Sequence, residues 1–285
     1  MILIAPPPGV EEQDTYTQTR EGTFTHWRRR VGRALVPLLA LAFIVLLWQL
    51  WVDLAHIKEF LLPSPKAIGQ ELAASWSPIL AQDTWVTLQE TLIGFGLGAL
   101  LGFVLAIGIT YSRFLERVLY PPIVASQAVP KVAIAPLFVV WLGFGIWPKI
   151  AVTMTLVFFP IVVTAAQGLM SADTSLLELL RSVNANQWQM FRKVRLPHAL
   201  PAIMSGMKIG MTLAVVGAVV GEWVGANAGL GYLILYAQSQ LETTLTFAAI
   251  TVLVVMGVVL FMLVDLLGRL ITPWSSSDQP VAATY

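Results

Sequence analysis

Apolar residues fall along this chain in long runs separated by short polar stretches, a spacing that predicts membrane-crossing helices. Six runs, at about 34–54, 87–111, 123–142, 150–169, 202–223 and 246–270, are each long enough to cross a hydrocarbon layer. Pro37 falls in the first turn of the first run, and Trp48 and Trp51 mark its far end. The second run carries Gly94, Gly98, Gly102 and Ala106 at every fourth position; the fifth repeats the device with Gly206, Gly210, Ala214 and Ala218. In lipid there is no hydrophobic drive between helices, so close backbone approach is a main source of association. Both stripes therefore predict a face packed tightly against another helix. The third run is broken by Pro130 and Pro136 and contains Gln127 and Lys131, while Pro160 lies inside the fourth. Between the first two runs, Ile68, Leu72 and Trp76 predict a short surface helix after Leu62-Pro-Ser-Pro65. Arg113, Glu116 and Arg117 predict a turn before the third run.

One polar run of some length, Asp173 to Pro201, interrupts the apolar pattern between the fourth and fifth runs. It predicts two short amphipathic helices meeting at a corner. Leu176, Leu177, Leu180 and Val183 recur at helical spacing in the first, with Glu178 and Arg181 opposite. Asp173, or Ser175 with Glu178 three residues on, supplies its N-terminal cap. Asn184 suits a left-handed stop, since Asn tolerates that conformation better than most residues. Asn186 with Gln189 predicts a second capping box, followed by an apolar face of Trp188, Phe191 and Val194. Pro197 and Pro201, which cannot donate a backbone hydrogen bond, are expected to end this helix. The hairpin is either a grip for another protein or a plain connection.

Composition agrees with a bilayer. Of 285 residues 57% are hydrophobic and 12% charged, with mean hydropathy +0.76; soluble domains carry roughly 25% charged residues. Ten tryptophans suit anchoring at headgroup depth. The net charge of +1 points to no nucleic acid, and the lack of cysteine excludes disulfides, thiolate metal sites and a Cys nucleophile. His26, His56 and His198 are scattered, so no metal site is expected. The opening MILIAPPPGV lacks a basic region of a secretory signal, leaving insertion to the first span. Residues 1–30 and 273–285 read as disordered cytoplasmic tails around a membrane domain over 31–272. With the N-terminus inside, Arg20, Arg28, Arg29, Arg30, Arg33, Arg113, Arg117, Arg181, Arg192, Lys193, Arg195 and Arg269 face the cytoplasm; Lys58, Lys66 and Lys149 face outside. That asymmetry places the polar hairpin and both termini in the cytoplasm. No G-x-x-x-x-G-K-[ST] loop is present, so ATP hydrolysis of that kind would need another chain.

The hairpin resembles the cytoplasmic loop of ABC importer permeases, whose pattern is E-A-A, three residues, G, nine residues, I-x-L-P. Here Glu178-Leu179-Leu180, three residues, Asn184, nine residues and Val194-Arg195-Leu196-Pro197 keep that spacing, with Leu-Leu and Asn replacing Ala-Ala and Gly. A second stretch, Gln127-Ala-Val-Pro130-Lys131 through Pro136 and Trp141 to Gly145, resembles the third core helix of nitrate/sulfonate/taurine-type permeases. Glu222-Trp-Val-Gly225 and Gly229-Leu-Gly231-Tyr232-Leu233 resemble the segment after their fifth helix. The likeness covers about residues 60 to 270, and Pro130-Lys131-Val-Ala is closest in style to thiamine-precursor and riboflavin importers.

The resemblance implies an all-α integral membrane protein: six transmembrane helices with a cytoplasmic coupling-helix hairpin, 173–197, between the fourth and fifth. It implies a permease subunit, not an enzyme, carrying a small organic solute (thiamine-precursor, riboflavin, sulfonate/taurine or nitrate class) inward across the inner membrane by alternating access. Two ABC ATPase subunits, holding the ATP and Mg, would drive a dimer of permease subunits fed by an extracytoplasmic binding protein. Glu178, Leu179, Leu180, Arg181, Asn184, Ala185, Trp188, Phe191, Arg192, Leu196 and Pro197 would then meet the ATPase. Polar residues at bilayer depth are costly, which makes Gln127, Pro130, Lys131, Pro136 and Glu222 candidates for the translocation pathway. Lys131 either lines that pathway or is a snorkelling or paired structural cation. Glu222 either serves an outer gate or the binding protein, or is an interfacial carboxylate. Lys208 and Asp265 read as anchors or a structural pair, and Glu90 has no assignment beyond the outer start of its span. An ion-coupled secondary transporter stays open as the alternative; it asks for deep acid pairs and paired interruptions in two halves.

Overall fold

A computed structural model describes residues 39–274. The chain falls into two units, residues 1–58 with 64–66 and residues 59–63 with 67–285. Among the described residues every regular element is helical. In the first unit, helix α1 (Leu39–Leu54) shows Leu39, Phe43, Ile44, Leu46, Leu50 and Leu54 on its surface. A helix apolar on all sides suits lipid, where its backbone bonds are satisfied internally. Near its end the Gln49 amide donates to Asp53 (2.9 Å) and accepts from the Lys66 backbone N–H (3.0 Å). The start of the run expected at 34–54 and nearly all of both expected tails lie outside the described residues.

The remaining helices are α2 (Pro65–Ser75), α3 (Ala81–Tyr111), α4 (Arg113–Ala125), α5 (Ala135–Leu142), α6 (Ile146–Met170), α7 (Thr174–Ser182), α8 (Gln187–Met190), α9 (Leu196–Gly225), α10 (Leu230–Ser239) and α11 (Thr243–Ile271). Among the described residues four helical stretches are long and apolar enough to cross a membrane: α3, α6, Gln187–Gly225 and α11. The pair Arg113–Ala128 and Lys131–Leu142, bent by 94°, makes a fifth if taken as one broken span. Of the six expected runs, the first is represented among the described residues only by α1, which is shorter than the others.

Helix α6 lies between α3 and α9 and packs most extensively against both. The two small-residue stripes meet it from either side, as expected of them. A Cβ on Gly98 would lie 2.8 Å from the Met154 carbonyl oxygen and one on Gly210 would lie 3.1 Å from Ile161 Cδ1; Gly217, outside the stripe, comes closer still, at 2.7 Å from the Thr153 Cα. Only glycine allows backbones this close, and the return is dispersion contact along the whole crossing. Around these crossings sit two clusters: Ala106, Ile109, Val162, Ala165, Leu169, Ala199 and Ile203 in one, and Val157, Ile161, Met211, Ala214, Met256 and Leu260 in the other. The second brings in α11, which is also joined to α9 by the Lys208–Asp265 ion pair; Asp265 accepts from Arg269 Nε as well (2.9 Å). Lys208 and Asp265 are thus a structural pair, one of the two roles expected for them.

Three local expectations are corrected. Residues 113–117 are not a turn but the start of α4, capped by Ser112, whose hydroxyl accepts from the Leu115 N–H (3.3 Å). The break in the third run comes at Pro130 alone. Val129 is extended (φ −76°, ψ 130°), as the residue before a proline prefers, whereas Pro136 sits in the first turn of α5, where no N–H is needed. Pro197 and Pro201 do not end the helix begun at Gln187. A π-turn at Phe191–Arg195 shifts the hydrogen-bond pattern, Pro197 falls at the start of α9, and the chain stays helical through Gly225.

Candidate functional site

Three places carry chemistry: the polar hairpin, the bent segment, and a buried polar cluster at the end of α9 remote from the hairpin. The hairpin is built locally. Asp173 caps α7 by accepting from both the backbone N–H (2.9 Å) and the hydroxyl of Ser175, and these donors hold its carboxyl below the ordinary value of 3.8. Asn184 turns the corner at φ 56°, and the Ala185 N–H reaches back to the Leu180 carbonyl (2.9 Å). At α8 both capping-box bonds are present: the Gln189 N–H donates to Asn186 (2.8 Å) and the Asn186 N–H to Gln189 (2.9 Å).

Packing then divides the leucines in a way that spacing does not. Leu177 turns inward onto Ala172 and Met190, with Leu180, Ala185 and Val194 against them. Leu176, Leu179, Val183 and Trp188 stay 48–68% exposed, with Glu178, Arg181, Asn184, Arg192 and Lys193 exposed around them. Phe191 is not on the outer surface: it is 7% exposed, its ring stacked on Trp188 (5.6 Å between centroids) and tilted against Tyr111 (6.2 Å). Leu196 and Pro197 are half-buried where α9 begins. Arg195, which spacing did not single out, donates to the Leu169 carbonyl (3.3 Å) and lies over the Tyr111 ring (5.5 Å). The hairpin is therefore rooted on α3 and α6 and continuous with α9.

In the bent segment Gln127, Pro130 and Pro136 are exposed. Lys131 is half-buried, its ammonium 4.8 Å from the centre of the Phe159 ring on α6. That cation–π contact suits an ammonium that has shed only part of its water. These four residues share one stretch, while Glu222 makes its contacts elsewhere.

Glu222 is 1% exposed and belongs to a cluster that ties four helices together. Its Oε1 accepts from the Thr87 hydroxyl of α3 (2.7 Å) and its Oε2 from the Gly231 N–H of α10 (2.5 Å). Thr87 Oγ1 in turn accepts from the Leu230 N–H (2.8 Å), and Asp83 accepts from the Gly229 N–H (2.8 Å). The Gly229-Leu-Gly231 backbone is moulded around the carboxylate: a Cβ on Gly231 would lie 2.6 Å from Oε2, and one on Gly229 would strike the same group. Beside it, Lys149 of α6 pairs with Glu90 of α3 (2.6 Å), the two side chains 8% and 1% exposed. Lys149 is thus not an outward-facing loop cation, as its position after the third run suggested. Glu90 Oε2 and Thr91 Oγ1 are buried without a hydrogen-bond partner among the described residues. Among these residues no three His, Asp or Glu side chains converge as metal ligands. Spacing alone could not pair Glu90 with Lys149, because the partners are 59 positions apart.

A bundle of glycine-tight apolar helices with a broken segment and a rooted polar hairpin is the architecture of a multi-pass membrane protein. Residues 98–276 match the family described as "Binding-protein-dependent transport system inner membrane component". The chain is 40% identical over 244 residues to a "Probable ABC transporter permease protein" of Haemophilus influenzae, covering 85% of this chain and 98% of that one. It is 35% identical to the formylaminopyrimidine transport permease protein ThiX of Halalkalibacterium halodurans, covering 86% and 98%. The methionine ABC transporter MetNI, in an inward-facing crystal form, shares the fold at a TM-score of 0.58 and 23% identity, covering 68% of this chain and 96% of the matched one. The chain belongs to the binding-protein-dependent family of ABC importer permease subunits.

Proposed function

We propose that this permease carries a small organic solute inward by alternating access, driven by two separate ATPase subunits seated on the hairpin. The observation that carries the proposal is the outward patch of Leu176, Leu179, Val183 and Trp188, held on a capped and rooted hairpin. In water such a patch asks for an apolar groove, and the surrounding Glu178, Arg181, Arg192 and Lys193 supply charged contacts at its rim. When two ATPases close on ATP they draw two hairpins together, and the root at Phe191 and Arg195 passes that motion to α3, α6 and α9. The arrangement requires two permease subunits, most simply two copies of this chain. It also requires a binding protein that delivers solute on the outer face. Helix α1 serves as the sixth span, and the basic residues of the hairpin keep it and both termini in the cytoplasm. The bent segment with Gln127, Pro130, Lys131 and Pro136 lines the solute route, since broken backbone at membrane depth is tolerated where it faces protein or water. The solute belongs to the small organic class that includes the formylaminopyrimidine named for the Halalkalibacterium relative.

The test is affinity purification of the tagged chain in mild detergent. A P-loop ATPase in stoichiometric amount is expected with the wild type and absent with the Leu179→Asp/Trp188→Asp variant. A wild-type dimer that purifies without any ATPase overturns the proposal.

A further inference from the structure

We infer that Asp83, Thr87 and Glu222 form a latch that holds α10 on α3, with Glu222 as the positioning residue whose release frees α10 during transport. Every acceptor in the latch is a buried side chain and every group it holds on α10 is a backbone N–H: Asp83 takes Gly229, Thr87 takes Leu230 and Glu222 takes Gly231. The Thr87–Glu222 hydrogen bond closes the set across α3 and α9. Exclusion of water removes the competitor for these hydrogen bonds. The position of α10 thus depends on where Glu222 stands.

Helix α10 packs on α9 and α11 as well as on α3, so its release is a shift of one short rod against those neighbours. It has 10 residues and both flanks carry left-handed backbone, at Gly229 (φ 113°) and Leu241 (φ 61°). Its inner face, Leu230, Leu233, Ile234 and Ala237, is buried when the latch is closed. The hairpin and the latch stand at opposite ends of one rod: α9 has 30 residues, which at 1.5 Å per residue is about 45 Å. A tilt of α9 started at the hairpin carries Glu222 away from Thr87. The last step rests on the transport proposal; the latch itself does not.

Because the chain has no cysteine, one introduced at Ala237, fully buried on α10, reports the state of the latch. The assay is labelling by a water-soluble maleimide of the chain with its ATPase in lipid nanodiscs, which leave both membrane faces open to reagent and nucleotide. With Ala237→Cys alone, labelling is slow without nucleotide and at least tenfold faster after trapping with ATP and vanadate. Adding Glu222→Gln or Thr87→Val makes it fast with or without nucleotide, whereas Thr87→Ser, which keeps the hydroxyl, restores the slow rate and the nucleotide response. A residue that merely supports the fold would lower melting temperature without erasing that response. Wild-type labelling rates in both Glu222→Gln and Thr87→Val overturn the latch, and an unlatched protein that still responds to nucleotide overturns the positioning role of Glu222. If no ATPase accompanies the wild type, the transport proposal fails, while the nucleotide-free rates still decide the latch.

Discussion

Replacing Lys149 by methionine removes the counter-charge of Glu90 and leaves the cavity shape nearly unchanged. The two groups are 8% and 1% exposed and 2.6 Å apart, so water cannot take over the missing partner. Glu90 Oε2 already has no hydrogen-bond partner among the described residues, and the substitution strips Oε1 of its donor as well. Breaking one side of a buried pair costs about 3–5 kcal/mol. At roughly 2–4 °C per kcal/mol for a domain of this size, the melting temperature in detergent should fall by about 6–20 °C. The companion variant Lys149→Met/Glu90→Leu replaces the pair by apolar groups of similar length, which is often neutral or stabilising. It should recover most of the loss. The assay is the fraction of monodisperse protein left after stepwise heating, for wild type, both single variants and the double. A Lys149→Met protein that melts within about 1 °C of wild type, well short of the 3–5 kcal/mol expected, or a double variant no better than the single, would refute the assignment of this pair as a buried structural tie between α3 and α6.

Other positions make separate predictions. Gly98→Val places its side chain against the Met154 carbonyl and Val157, so it should destabilise by about 1–3 kcal/mol, read as a lower melting temperature. Asn184, at φ 56°, should accept glycine without loss, while Asn184→Val should cost roughly 1–3 kcal/mol and raise proteolysis at the hairpin corner. The Asp173 carboxyl is held below its ordinary value, so its cap persists above that range and is lost as pH falls through the lowered value. Pepsin cutting in α7 should therefore rise at the acid end in wild type, and Asp173→Ala should remove that part of the pH dependence. Lys131→Met should lower solute uptake with the ATPase still attached, and Lys131→Arg, which keeps the cation over Phe159, should restore it; equal uptake in all three would assign Lys131 to structure.

Much of this architecture was legible along the chain because it depends on local or cumulative properties. Hydropathy summed over twenty or so positions marks a span whatever surrounds it, hence α3, α6, α9 and α11. A small residue every fourth position marks a contact face without knowing the partner, and both stripes met α6. The caps at Asp173 and Asn186 and the left-handed Asn184 follow from short-range hydrogen bonding, so they too could be read in advance. What tertiary structure alone decided is which polar groups meet. Lys149 looked like an outer loop residue, and only the approach of α3 to α6 gives it Glu90. Glu222 had no partner readable from spacing, and only the fold brings Thr87 and the Gly231 amide to its two oxygens. Leu177 and Leu176 are neighbours in sequence, yet the α7–α8 corner buries the first and leaves the second outside. The physical reason is common to all three: transfer into lipid is a property of each side chain by itself, whereas an ion pair, a latch or a packed leucine exists only once distant segments come into contact.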